Sequence, residues 1–175
     1  EHAPDECFFL LEYSLTDVAF NGFYHLPDYE DWALTESLPE MDAAYRYHKR
    51  ILKLLQWKTP AKRWVLRSPI HALHMESLLK SYPEARFVIT HRQTEKVLPS
   101  ICSLIILLRN CFLKNPEPIA LGERQVKQWE LALRRLIEFR QSLGEQRFFD
   151  IYHSEQIVDP EQGLRNLYDF LGWHF

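Results

Sequence analysis

The chain has 175 residues, enough for one ordinary domain and too few for two. Hydrophobic residues make up 46% and charged residues 26%, a globular composition that excludes wholesale disorder. With 21 basic against 24 acidic side chains the net charge is −3, which argues against a broad nucleic-acid footprint but leaves room for a local basic pocket.

Residues 1–60 are rich in aromatic and acidic side chains, are broken by Pro4, Pro27, Pro39 and Pro60, and show no good strand. A helix is predicted over Leu38–Leu55, where Met41, Ala44, Tyr45, His48, Leu52 and Leu55 recur at steps of three and four. His48 falls on that apolar stripe and reads as a core histidine rather than a ligand. From residue 61 short strands alternate with helices. Trp64-Val65-Leu66 predicts a first strand ending in Arg67-Ser68-Pro69, and a helix from about His71 to Tyr82 follows, its inner face Met75, Leu78, Leu79 and Tyr82. Arg86–Thr90 predicts a second strand, β-branched and aromatic as a buried parallel strand is. The next helix, over about Thr94 to Leu108, contains the longest dense apolar run, Ile101–Leu108. That run is too short to span a bilayer, so a soluble protein is expected. A polar break over 114–118 leads into a long helix with a predicted stripe of Val126, Trp129, Leu133, Leu136 and Ile137. Phe148–Tyr152 predicts a third strand, and Pro160–Leu171 a closing helix that stops at Gly172.

This order predicts a single α/β domain over 1–175, a three-layer parallel sheet flanked by helices, with a helical region at 1–60 and an α/β core at 61–175. About nineteen residues separate the first two predicted strands, enough for a right-handed crossover through one helix. Three cysteines, Cys7, Cys102 and Cys111, form no CxxC and cannot all pair, which predicts reduced thiols in a cytoplasmic protein.

Ligands of open α/β sheets collect at the carboxyl ends of the strands. Each predicted strand ends in a polar cluster: Arg67, Ser68 and His71; then His91 and Arg92, with Ser100 further on; then Tyr152, His153, Ser154 and Glu155. Arg92 leaves its strand where a helix begins, and Ser100 lies eight residues on; a forked guanidinium plus a hydroxyl suits a terminal phosphate. The same two residues also suit a surface Arg paired with Glu95 and a Ser bonded back within its helix. His71 follows Pro69 at a predicted helix start, where the positive helix end favours neutral imidazole able to accept a proton. Arg67 stands four residues earlier as a stabiliser of negative charge, and the plainer alternative is that His71 only caps the helix. His71 and His74 lack a third metal ligand of suitable spacing, so no metal is expected. None of the five glycines builds a phosphate-cradling loop, and there is no GxxxxGK[ST], GxGxxG or GxSxG.

Three segments together resemble a known family. Arg63-Trp64-Val65-Leu66-Arg67-Ser68-Pro69-Ile70-His71, Tyr82-Pro83-Glu84-Ala85-Arg86-Phe87-Val88-Ile89-Thr90-His91-Arg92 and Pro99-Ser100 resemble the sulfotransferases that use 3′-phosphoadenosine 5′-phosphosulfate (PAPS), most of all a bacterial branch with a Lys-Ser-Pro-x-His stretch. The opening His2–Cys7 and the stretches Tyr152–Ser154, Asp159-Pro160 and Leu167–Gly172 are similar to that branch too. The resemblance implies a nucleotide kinase-like fold whose first strand and phosphate loop lie upstream of Glu1, in a domain truncated at both ends. It implies sulfuryl transfer from PAPS to a hydroxyl or amine of a small-molecule acceptor. Arg92 and Ser100 would hold the donor's 3′-phosphate, Tyr152 would contact the nucleoside, and His71 would be the base. Arg67 stands where the family usually has Lys, keeping the charge on a bulkier group that cannot give up its proton. The aromatic first sixty residues (Phe8, Phe9, Tyr13, Phe20, Phe23, Tyr24, Trp32) suit an apolar acceptor pocket and equally a helical core. The competing expectations are a non-catalytic interaction domain derived from such an enzyme and a nucleotide kinase-like phosphotransferase.

Overall fold

In the computed structural model two five-residue strands, β1 (Phe87–His91) and β2 (Phe148–Tyr152), pair in parallel, in a register that sets Phe87 beside Phe148 and His91 beside Tyr152. The structure describes residues 6–16, 20–35, 38–58, 63–113 and 117–175; the predicted break at 114–116 and the opening residues 2–5 lie outside these. Around the strands run α1 (Phe8–Leu11), α2 (Phe20–Phe23), α3 (Pro27–Thr35), α4 (Leu38–Leu55), α5 (Met75–Ser81), α6 (Thr94–Arg109), α7 (Pro118–Leu143), α8 (His153–Val158) and α9 (Pro160–Leu171), with a 3-10 turn at Pro69–Leu73.

Alternation along the strands sets the layers. Phe87 and Phe148 point into the main core, where they stack at 5.1 Å and meet Phe139 of α7 edge-on, alongside Met41, Ala44 and Tyr45 of α4 and Met75 and Leu78 of α5. Phe149 points the other way and meets Phe170 of α9 at 5.3 Å. The fold is therefore α/β, a parallel sheet flanked by helices. A second cluster joins Ala33 of α3, Ile70 and Leu73 of the 3-10 turn, and Ala132 of α7. The ends of α9 follow local chemistry: the Asp159 side chain accepts from the Gln162 backbone N–H, Pro160 opens the first turn, and Gly172 closes the last in the left-handed region at φ 68°.

Three expectations change. Residues 64–66 form no strand: among the described residues only β1 and β2 pair, and Val65 is 82% exposed. Strand-forming residues need a neighbouring backbone to complete the ladder, and this segment has none among the described residues. Strand β1 is not buried on both faces, since its side chains alternate and Val88 and Thr90 are exposed. The stripe of α7 is rotated as well. Its buried residues are Leu121, Gln125, Ala132, Leu136 and Phe139, whereas Val126, Leu133 and Ile137 face outward. Ala132 is the reason: the 3-10 turn approaches α7 closely, and a small side chain admits it where a search for large apolar residues looks elsewhere. The helix expected from about His71 begins only at Met75, after the 3-10 turn, and His48 is fully buried as a core residue.

Candidate active site

The carboxyl ends of β1 and β2 open into a cleft of about 450 Å³ lined by His91, Arg92, Gln93, Lys96, Tyr152, His153, Ser154 and Ile157. Sheet register brings its two sides together, because His91 and Tyr152 end adjacent strands and their rings stack at 4.7 Å, 18° from coplanar. Arg92 and Gln93 then lead into α6, and Lys96 lies in its first turn, so two cations and the positive end of a 16-residue helix converge on one opening. Among the described residues neither Arg92 nor Lys96 forms an ion pair, and the pairing of Arg92 with Glu95 does not occur. Ser100 is exposed on the second turn of α6, outside the cleft lining. Its hydroxyl has no partner among the described residues, whereas Ser103 on the same helix donates to the Pro99 carbonyl at 2.8 Å.

Asp150 of β2 stands behind His91. Arg140 of α7 donates to both of its carboxylate oxygens, at 2.9 and 2.7 Å, and His91 Nε2 lies 2.6 Å from Oδ1. The Asp150 carboxyl is held down at about 2, chiefly by the Arg140 hydrogen bonds and further by His91. Asp150 thus stays ionised and orients the imidazole that stacks on Tyr152.

His71 sits elsewhere, in the 3-10 turn rather than at a helix start, since α5 begins only at Met75. Its Nδ1 is 2.8 Å from the Tyr45 hydroxyl, and its Nε2 is closed to solvent with no partner among the described residues. The side chain does not cap α5. Its pKa is pushed down to about 3 by burial first, then by His48 and His74, so the neutrality expected from a helix end arises here from desolvation. Arg67 is half exposed and lies 3.8 Å from Glu6, and its carbonyl accepts the Cys7 backbone N–H. Beside it the Ser68 hydroxyl is buried and without a partner among the described residues. Neither Arg67 nor His71 lines the cleft.

Of the residues singled out from the sequence, the cleft thus joins His91, Arg92, Tyr152, His153 and Ser154. Lys96, Gln93, Asp150, Arg140 and Tyr45 escaped that reading. An acid inside an otherwise apolar strand (Asp150) and a tyrosine on an apolar stripe, whose hydroxyl needs a partner, were the available signals. The aromatics of the first sixty residues pack on one another and on the rest of the domain: Phe20 meets Tyr29, Tyr29 meets Trp32, Tyr24 meets Phe112 just beyond α6 at 5.2 Å, and Phe8, Tyr29 and Trp32 pack against the cluster around Ile70 and Ala132. Among the described residues no group of three or more His, Cys, Asp or Glu could hold a metal ion.

A parallel sheet between helices, with cations lining a cleft at its carboxyl edge, defines the class as an α/β protein. The chain belongs to the sulfotransferase family, whose model matches residues 1–175. It is 29% identical over 149 residues to omega-hydroxy-beta-dihydromenaquinone-9 sulfotransferase Stf3 of Mycobacterium bovis, covering 83% of this chain and 38% of that protein. Its fold superposes on the crystal structure of sulfotransferase STF9 from Mycobacterium avium with a TM-score of 0.93 at 28% identity, over 98% of this chain and 44% of the other. Sulfotransferase STF1 of Mycobacterium tuberculosis gives 0.84 at 28% identity, over 99% and 47%. The chain thus spans less than half the length of these relatives.

Proposed function

We propose that the full-length protein carrying this chain transfers the sulfuryl group of PAPS to a hydroxyl, or an amine, of a small apolar acceptor. The observation that carries this reading is Arg92: an exposed guanidinium without a carboxylate partner among the described residues, lining a cleft at the carboxyl end of a parallel strand in a sulfotransferase-family chain. Arg92 with Ser100 binds the donor's 3′-phosphate, and Lys96 adds positive charge in the same opening. Tyr152, held by its stack on His91, offers a flat face to the nucleoside. PAPS supplies the group transferred, and the residues act by positioning and by neutralising charge, as in other in-line transfers.

On the acceptor side His71 is the base. A pKa of about 3 keeps its imidazole neutral across the working pH range. The acceptor proton becomes strongly acidic only as its oxygen bonds to sulfur, so a weak base suffices to take it. Arg67, four residues earlier in the chain, stabilises negative charge near the transferred group. The Mycobacterium bovis relative is named for a hydroxylated menaquinone, which supports an apolar acceptor bearing a hydroxyl. No described helix is long and apolar enough to cross a membrane, and three unpaired cysteines fit a cytoplasmic setting.

Calorimetric titration of the full-length protein tests this. 3′-Phosphoadenosine 5′-phosphate should bind about tenfold to a hundredfold more tightly than AMP, the worth of charge-assisted bonds to one phosphate, and Arg92→Ala should abolish the difference. Equal affinity for the two nucleotides in the wild type refutes the reading and favours an interaction domain. Transfer of phosphate from ATP favours a kinase-like enzyme.

A further inference from the structure

The neutral imidazole of His71 carries one proton, and which nitrogen holds it decides whether Nε2 can act as a base. Two arrangements fit the 2.8 Å contact between Nδ1 and the Tyr45 hydroxyl. If Tyr45 donates to Nδ1, the proton sits on Nε2, a donor closed to solvent with no acceptor among the described residues. If Nδ1–H donates to the Tyr45 oxygen, Nε2 keeps a lone pair. Buried N–H groups without acceptors are rarer and costlier than buried acceptors without donors, and a hydroxyl hydrogen, unlike a ring N–H, can rotate towards another acceptor, so the second arrangement is favoured. It is also the reverse of the free side chain's own preference, which places the proton on Nε2. Something in the protein must therefore hold it.

We propose that Tyr45 is a positioning residue that accepts the His71 Nδ1–H and so holds the lone pair on Nε2. The inference rests on the reading of His71 as the base. Tyr45 is suited to the task because it cannot move: it is 0% exposed in the middle of α4, inside the main core. Its ring meets His48 edge-on at 6.3 Å, and His48 is itself anchored through Nδ1, 2.6 Å from the Tyr82 hydroxyl. The titratable groups facing His71 are thus Tyr45 and His48 from α4 and His74 from the turn before α5, and burial keeps both other histidines neutral.

The test is a two-bond proton–nitrogen correlation spectrum of the full-length protein labelled with ¹⁵N-histidine at pH 7.5, with His71 assigned by the signals lost in His71→Gln. The wild type should show the Nδ1–H pattern. Tyr45→Phe keeps the ring and removes the acceptor, and should shift His71 towards Nε2–H. It should also lower kcat about tenfold to a hundredfold, the usual cost of losing an orienting partner, and leave the donor KM and nucleotide affinity within about twofold. A wild-type Nε2–H pattern overturns the proposal, as does a Tyr45→Phe variant whose tautomer or kcat is unchanged. Should Tyr45→Phe fail to fold, the wild-type spectrum alone decides. Full turnover by His71→Gln sinks the assignment of the base, a failure distinct from that of the tautomer.

Discussion

His74 makes the buried histidines measurable through stability. It is 2% exposed, and neither ring nitrogen has a hydrogen-bond partner among the described residues. Burial, with the charge of Arg135 adding to it, lowers its pKa from 6.5 to about 4; His48 is likewise lowered to about 4 and His71 to about 3. At pH 5 each is neutral in the folded protein and protonated in the unfolded chain. Unfolding then takes up protons, so stability is complete above about 6.5, falls as pH drops, and levels off only below about 3, the lowest of the three folded values. From pH 7 to pH 5 one such histidine costs about 1.9 kcal/mol, and three cost about 5 to 6 kcal/mol, comparable with the whole stability of many domains. His74→Leu removes one titrating group together with two buried nitrogens that lack partners, and an apolar side chain there should leave stability at pH 7 unchanged or higher. The variant's loss between pH 7 and pH 5 should be smaller than the wild type's by about 1.9 kcal/mol. Urea unfolding of both full-length proteins at pH 7, 6 and 5 measures this. Parallel pH dependences would mean that folded His74 titrates near its ordinary value, and would refute the reasoning.

Two further perturbations separate the cleft from the core. Asp150 is held at about 2 by Arg140 and His91, so it stabilises the fold fully above about 4 and loses that contribution as pH falls through about 2. The shift corresponds to about 2.5 kcal/mol, lowered by solvent screening at this quarter-exposed carboxylate to about 1 to 2 kcal/mol. Asp150→Asn should lose that amount at neutral pH in urea unfolding and weaken nucleotide binding several-fold by releasing His91; unchanged stability and binding would refute the supporting role. Phe148→Ala should cost about 3 to 5 kcal/mol, because a 6% exposed ring stacked on Phe87 and met by Phe139 leaves a cavity between strand and helix. A loss under about 1 kcal/mol in the same assay would show that the strands do not depend on this cluster.

What could be read from the residues alone follows the range over which each feature is built. Helix α9 carries its own start and stop, Asp159-Pro160 and Gly172, and was legible to the residue. Strand β2 was legible for the same reason, since its character lies within five residues. Trp64-Val65-Leu66 has equal strand character and forms no strand, because pairing depends on a second backbone that no local pattern reports. The buried face of α7 failed similarly: Ala132 is decided by how closely the Pro69–Leu73 turn approaches it.

The candidate site divides along the same line. The half proposed to bind the donor was visible at His91 and Arg92 because a strand end and the next helix start are consecutive in the chain; Lys96, one turn further on, joins them only in space. The half proposed to accept a proton was visible only as a lone histidine. The partner that decides what His71 can do is Tyr45, 26 residues earlier on a different helix, where it passes for one more member of an apolar stripe. A charge advertises itself through residue type, whereas a tautomer is set by one hydrogen bond across packed elements. Substitutions that conserve charge at Arg92 therefore probe what the sequence already displays, and the conservative loss of a single oxygen at Tyr45 probes what only the packing of α4 against the 3-10 turn creates.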